Sequence, residues 1–290
     1  MEKENIIKKY LGESAQIEKQ ILGGMMNGSF LVDYQDKKYI LYMPTAQANE
    51  MVNRKEEKRH LDIVYPLGVT SKNVYFDVPN GIKINEFIDG ESLNNLDNYN
   101  EQKVADILKK LHKSGLKSNL DYQPFERFLG FEKEALEFCD LSDDYRIFKE
   151  LLFTNREYLE SDPLVLSHND FQKSNIVFNP KDGNYYMIDF EFMANNSEIY
   201  DIACFANNDV NDGLRLLRAY FGNPSLEETR KFYLWRIFIS MQWYLVAIIK
   251  HYRKEGEKHH FNFLAVADHF MNIAKTAYEG LNNLWTKNTI

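Results

Sequence analysis

The feature that most constrains this chain is a polar loop set between apolar segments. Leu164-Val165-Leu166 leads into His168-Asn169-Asp170-Phe171-Gln172-Lys173-Ser174-Asn175, which runs straight into Ile176–Phe178. A second apolar segment, Tyr185–Asp189, follows across the turn Asn179-Pro180-Lys181-Asp182-Gly183. Two short strands joined by such a turn form a hairpin, and Asp189 then emerges at a strand tip. The loop can therefore present Asp170 and Asn175 in one site with Asp189.

That set of side chains suits phosphoryl transfer from a nucleotide. Such transfer needs a carboxylate that orients the attacking hydroxyl or accepts its proton. It also needs hard oxygen ligands for the Mg²⁺ that bridges the phosphates. Asp170 fits the first requirement; Asn175 and Asp189 fit the second, and Glu191 is placed to serve a second metal or its water shell. His168, beside apolar residues, reads as a buried brace of the loop. The order H-x-D-x-x-x-x-N followed by an apolar residue and Asp-Phe is that of the protein-kinase catalytic loop and metal-binding Asp, with Glu191 where those enzymes carry Gly.

Composition narrows the rest. A net charge of -8 disfavours nucleic acid and anionic membrane surfaces as partners. The two cysteines, Cys139 and Cys204, match no disulfide framework or metal spacing and read as reduced residues of a cytoplasmic protein. The N-terminus has no apolar signal segment. The longest apolar run, Ile237 to Ile249, is too short to span a bilayer and reads as a buried helix.

Along the chain, residues 1–90 read as a mixed α/β, β-rich lobe. Strands are expected at Ile17–Leu22, Phe30–Tyr34, Lys38–Met43, Val74–Val78 and Ile82–Phe87, with a helix from Asn49 to Tyr65 that stops at Pro66. Asn80-Gly81 supplies the positive φ of a hairpin turn. Residues 91–290 read as mostly helical: Tyr99–Ser114, Phe125–Phe138, Asp143–Leu159, Leu226–His251 and Phe261–Leu284. The expected class is α+β in two lobes, with the nucleotide held by residues 1–90 and catalysis and acceptor binding in residues 91–290.

The chain resembles the choline/ethanolamine kinases of the aminoglycoside phosphotransferase and protein-kinase-like superfamily, bacterial choline kinases above all. Three segments carry the resemblance: Leu22-Gly23-Gly24-Met25-Met26-Asn27-Gly28-Ser29-Phe30, the loop from His168 to Asn175, and Ile188-Asp189-Phe190-Glu191-Phe192 running to Tyr200-Asp201-Ile202-Ala203. It implies a two-lobed kinase-like fold, ATP and Mg²⁺ as cofactors and a small-molecule alcohol as acceptor. Oligomeric state stays open. Gly24, Met25, Asn27 and Ser29 would lie in the phosphate-covering turn. Glu57, on the helix with Arg54, would pair with a phosphate-binding cation. Lys83–Ile88 would be the interlobe connector, with Glu86 and Ile88 offering main-chain atoms to adenine. Asp201 would brace the catalytic loop.

Two departures matter. The family places Lys or Arg where this chain has Tyr42, so either Arg54, Lys37 or Lys38 compensates, or the nucleotide grip is weak and the chain is a binding protein. The family's two tryptophans three residues apart on a late helix are also missing, with Met241 and Tyr244 in that register. Trp235, Trp243 and Tyr244 are the aromatic candidates for an ammonium group, with Asp209 as the accompanying acid. Histidines and lysines late in the chain (His251, Lys254, Lys258, His259, His260) favour a singly cationic alcohol, choline first, over an aminoglycoside. Ethanolamine and thiamine are further alternatives.

Overall fold

The computed structural model describes residues 3–21, 27–45, 48–49, 52–256 and 262–286. Its N-terminal lobe is an antiparallel sheet of β1 (Gln16–Ile21), β2 (Asn27–Tyr34), β3 (Lys37–Pro44), β4 (Asn73–Asp77) and β5 (Ile82–Glu86), in the order β1-β2-β3-β5-β4. Strand alternation sends Phe30, Val32, Tyr39, Leu41 and Ile84 to one face, where they form a small apolar core with Ile6 and Ile7 of the helix Lys3–Tyr10. The other face carries Ser29, Tyr42 and Lys83 in a single cross-strand row. That row looks toward the helix Arg54–Val64.

This helix begins later than the apolar periodicity suggests. Asn53 is its N-cap, with a side-chain oxygen that accepts from the Glu56 N–H at 3.2 Å. The β4–β5 turn behaves as the Asn80-Gly81 pair predicts, with Gly81 at φ 68°. A side chain there would collide with Arg54 and Asn49, so the turn also shapes the space beside the helix.

A second apolar core occupies the helical lobe and includes Leu61 and Val64 from the helix Arg54–Val64. Its centre is the helix Leu226–Tyr252, opened by a Ser225–Glu228 capping box. This helix is long and apolar enough to cross a membrane, but 89% of its apolar window is buried inside the fold, so it reads as a core helix. It packs most extensively on Phe263–Thr286, and also against Glu198–Phe205 and Pro124–Leu136.

Two expectations need correction. Asp143–Leu159 is two helices, Asp143–Thr154 and Arg156–Glu160, parted at Asn155. Val210–Phe221 is a helix that the sequence reading did not anticipate. Its Gly213 disfavours a helix by propensity, yet a Cβ there would lie 2.6 Å from both Ala206 and Phe232. Close packing explains the glycine.

The loop from His168 to Asn175 lies between β7 (Val165–Ser167) and β8 (Ile176–Asn179), and β9 (Asn184–Met187) returns to Asp189. β7 pairs with β10 (Ala194–Asn196), so both ends of the loop are anchored.

Candidate active site

The loop is held by a buried carboxylate. Asp201, wholly buried in the helix Glu198–Phe205, accepts from the backbone N–H groups of His168 and Asn169, each at 2.7 Å. It also meets His112 Nε2 at 3.0 Å. Asn169 has φ 63°, a left-handed conformation that costs energy unless its surroundings impose it. Asp201 imposes it from one side. The Asn169 amide does so from the other, donating to Phe192 O at 3.0 Å and accepting from Asn196 Nδ2 at 2.8 Å. His168 is buried, donates from Nε2 to Ile188 O at 2.9 Å, and burial holds its pKa below the ordinary imidazole value. It is a neutral brace.

Asp170, Asn175 and Asp189 are brought together. Asn175 Nδ2 donates to Asp170 Oδ2 at 2.8 Å and to Asp170 O at 2.9 Å, which directs its amide oxygen away from Asp170. The Ile188 N–H donates to Asn175 O at 2.9 Å, tying the loop to the segment that carries Asp189. Asp189 has φ 65°, and its buried Oδ1 has no hydrogen-bond partner. Burial, and after it the Asp189 carboxylate, push Asp170 up to about 8. Burial, and after it Glu191, push Asp189 up to about 7, with Lys83 opposing. Carboxylates crowded in this way favour a bound cation.

Whether these residues suit Mg²⁺ can be judged from their donors. No group of three or more His, Cys, Asp or Glu side chains forms a metal cage among the described residues. A pair such as Asn175 and Asp189 fits an ion that keeps several waters and takes other ligands from substrate phosphates. The orphaned Asp189 oxygen is the observation that favours this fit.

Facing them is a second buried charge cluster. Arg54 Nη1 donates to Glu57 Oε2 at 2.7 Å and to Glu191 Oε1 at 3.3 Å, and Arg54 Nε donates to Asn49 Oδ1 at 2.9 Å. Lys83 donates to Glu57 Oε1 and lies 3.7 Å from Glu191 Oε1. Its ammonium sits 4.9 Å from the centre of the Tyr42 ring. Burial pushes the Tyr42 phenol up to about 12, so it is neutral. The sequence reading placed Lys83 only at the head of the connector, although a lysine between Ile82 and Ile84 in a strand was a visible signal. Lys37 and Lys38 are exposed.

Other expected nucleotide contacts divide. Ser29 lies in β2 opposite Tyr42. Gly24 and Met25 lie outside the described residues, as does the side chain of Asn27. The Glu86 N–H already donates to Lys72 O at 2.9 Å, which leaves that amide engaged. Ile88 lies between β5 and β6 (Glu91–Ser92), and β6 pairs with β8.

Next to Asp170 opens a cavity of about 250 Å³, lined by Tyr122, Arg127, Phe131, Glu134, Phe192 and Trp243 among others. Of the aromatic candidates only Trp243 lines it. Trp235 is core, packed on Tyr200 at 5.1 Å and Phe238 at 5.3 Å between ring centres. Tyr244 stacks on Tyr145 at 5.8 Å, away from the cavity. Asp209 is an exposed N-cap that accepts from Asn211 N–H at 2.9 Å and does not reach the cavity. Lys258, His259 and His260 lie outside the described residues. The sequence reading missed Arg127, whose guanidinium sits 4.8 Å from the Tyr122 ring centre and 5.3 Å from that of Phe192. It also missed Gln242, buried with Oε1 unpartnered at the same cavity. No local motif marks either residue.

Comparison with known proteins agrees with this geometry. The family model for choline/ethanolamine kinase matches residues 18–212. Protein LicA of Haemophilus influenzae is 24% identical over 192 residues, covering 63% of this chain and 55% of that protein. The chain thus spans about half the length of that relative. The crystal structure of choline kinase LicA from Streptococcus pneumoniae superposes with a TM-score of 0.74 at 24% identity, over 97% of this chain and 99% of that one. The GDP complex of aminoglycoside 2'-phosphotransferase-IIIa has the same fold at a TM-score of 0.64 and 15% identity, over 95% of this chain and 96% of that one. With the family match running from β1, through the loop from His168 to Asn175, to Asp212, the chain belongs to the choline/ethanolamine kinase family.

Proposed function

We propose that this protein transfers the γ-phosphoryl group of ATP to the hydroxyl of a small amino alcohol, choline first. The observation that carries the reading is Asp170, which belongs at once to the Asn175–Asp189 cluster and to the wall of the adjoining cavity. In this reading residues 1–90 grip the nucleotide and residues 91–290 hold the catalytic loop and the acceptor. Asp170 orients the acceptor hydroxyl and takes its proton as the oxygen attacks phosphorus. Asn175 and Asp189 would hold Mg²⁺, which when bound neutralises phosphate charge. The cavity offers aromatic faces from Tyr122, Phe192 and Trp243 and the Asp170 carboxylate, the elements an ammonium group needs, while Glu134 of the lining is already paired with Arg253 at 2.7 Å. The two free cysteines are in keeping with a cytoplasmic location.

One observation favours a second reading. Arg127 already lies over Tyr122 and Phe192, and Lys250 and Arg253 share the lining. Lys250 is paired with Glu255 at 3.0 Å and Arg253 with Glu134 at 2.7 Å, so Arg127 is the cation whose repulsion an alcohol without a positive charge would avoid. Coupled ADP release over choline, ethanolamine, thiamine, an aminoglycoside and neutral or acidic alcohols separates the readings. Mg²⁺-dependent turnover with the amino alcohols supports the first. Turnover confined to uncharged or acidic acceptors supports the second, and no turnover with any acceptor leaves a nucleotide-binding protein.

A further inference from the structure

A nucleotide triphosphate brings several negative charges into a cleft already occupied by Glu57, Asp189 and Glu191, so the sheet side of the cleft needs a cation. Lys19, Lys37 and Lys38 of the sheet are exposed, whereas Lys83 is 2% exposed and sits inside the cluster. We propose that Lys83 is the phosphate-gripping cation of this cleft, supplied from β5 because Tyr42 of β3 carries no charge. This rests on the kinase reading above.

The register explains how a neighbouring strand can serve. Ser29, Tyr42 and Lys83 are successive cross-strand partners on β2, β3 and β5, so their side chains leave the sheet on the same face. Adjacent strands lie about 4.8 Å apart, a gap that the four-carbon lysine stem spans. The Lys83 ammonium reaches Glu57 on the facing helix and approaches Glu191 next to the Asp189 segment. The Tyr42 ring flanks it and fills the volume beside the stem. Arg54 stands on the facing helix, outside the sheet row: its Nη1 bridges Glu57 and Glu191 and its Nε is anchored to Asn49, which fixes the carboxylates that position Lys83, while its buried Nη2 has no hydrogen-bond partner among the described residues. Lys83 retains donor capacity beyond Glu57, since an ammonium carries three N–H groups.

Four variants measured with Mg-ATP test the assignment: Lys83→Met, Lys83→Met/Glu57→Gln, Tyr42→Lys, and Tyr42→Lys/Lys83→Met. Direct nucleotide binding and steady-state KM and kcat are read together, with thermal melting as the check on folding. Lys83→Met is expected to weaken Mg-ATP binding about 10- to 100-fold, the effect of one lost charge-assisted contact. The Lys83→Met/Glu57→Gln variant removes the stranded carboxylate and restores melting but not nucleotide affinity. Moving the charge back in Tyr42→Lys/Lys83→Met recovers most of the affinity. Normal KM for ATP in Lys83→Met, or its return in Lys83→Met/Glu57→Gln, would show that Lys83 only neutralises Glu57 and overturns the assignment while leaving the kinase reading intact. Failure of the wild-type chain to bind Mg-ATP overturns both.

Discussion

Replacing Asp201 with Asn tests how the loop from His168 to Asn175, proposed to be catalytic, is held. The carboxylate is wholly buried and accepts two backbone N–H groups at 2.7 Å and one imidazole nitrogen at 3.0 Å. An amide of the same shape accepts one backbone N–H but turns its own donors toward the others. A hydrogen bond to a charged acceptor contributes about 1.5–3 kcal/mol, and a buried donor left unpaired costs about 1–3 kcal/mol. The expected net loss is about 2–4 kcal/mol. With an unfolding entropy of about 2.1 cal/mol/K per residue, a chain of 290 residues would melt roughly 3–7 °C lower. The loss is local first, because the Asn169 left-handed backbone loses one of its two supports. Hydrogen exchange at the His168 and Asn169 amides should therefore accelerate more than exchange in the helix Leu226–Tyr252. Turnover should drop at least about tenfold, since small displacements of reacting groups are costly, with little change in KM for nucleotide. Unchanged melting together with unchanged protection at those two amides would refute the bracing role.

Three other perturbations bear on the site and its surroundings. Asp170→Ala should lower kcat by about 10²- to 10⁴-fold, the usual contribution of a positioned base, without lowering the melting temperature, because it relieves carboxylate crowding; near-normal turnover would sink its assignment. Trp235→Ala should cost about 3–5 kcal/mol of stability as a core truncation, whereas Trp243→Ala should raise KM for the acceptor with a far smaller stability loss. Equal stability losses would place both in the core. His60 is buried, bonded to Ser118 Oγ at 2.8 Å, and pushed by burial down to about 4, against the pull of Glu56. Its unfolded value is near 6.5, so the unfolded chain binds the extra proton first. The stabilisation is complete above about pH 6.5 and is lost as pH falls toward 4, up to about 3 kcal/mol. His60→Gln should flatten this acid limb of the melting curve, and parallel pH profiles for both proteins would argue against it.

Much of this architecture is local and was legible. The loop from His168 to Asn175, the hairpin behind it and Asp189 at its tip are specified by neighbours in sequence, because turn chemistry and strand alternation act over a few residues. The Asn80-Gly81 turn and the helix Leu226–Tyr252 follow from the same short-range signals. The helix Val210–Phe221 did not, because the contact that requires Gly213 lies across the fold at Phe232.

The acceptor side was the least legible. Trp235 and Trp243 lie about 80° apart on a helical wheel, compatible with a shared face, but a helix buried all round meets different neighbours on each side. Trp235 meets Phe125 and Tyr200, while Trp243 meets Phe270 and the cavity. Asp209, sought as a substrate acid, instead caps a helix.

The sequence by itself determined the family and the candidate loop from His168 to Asn175, because those depend on residue order and spacing within short segments. Only the tertiary structure decided where the charges meet. Lys83, Arg54, Glu57 and Glu191 come from a strand, two ends of one helical turn and a distant loop, and converge because sheet register and helix packing bring them to one buried volume. Coulomb attraction in such a volume depends on distance in space, which Tyr42 and Lys83, far apart in the chain and adjacent in the sheet, make plain.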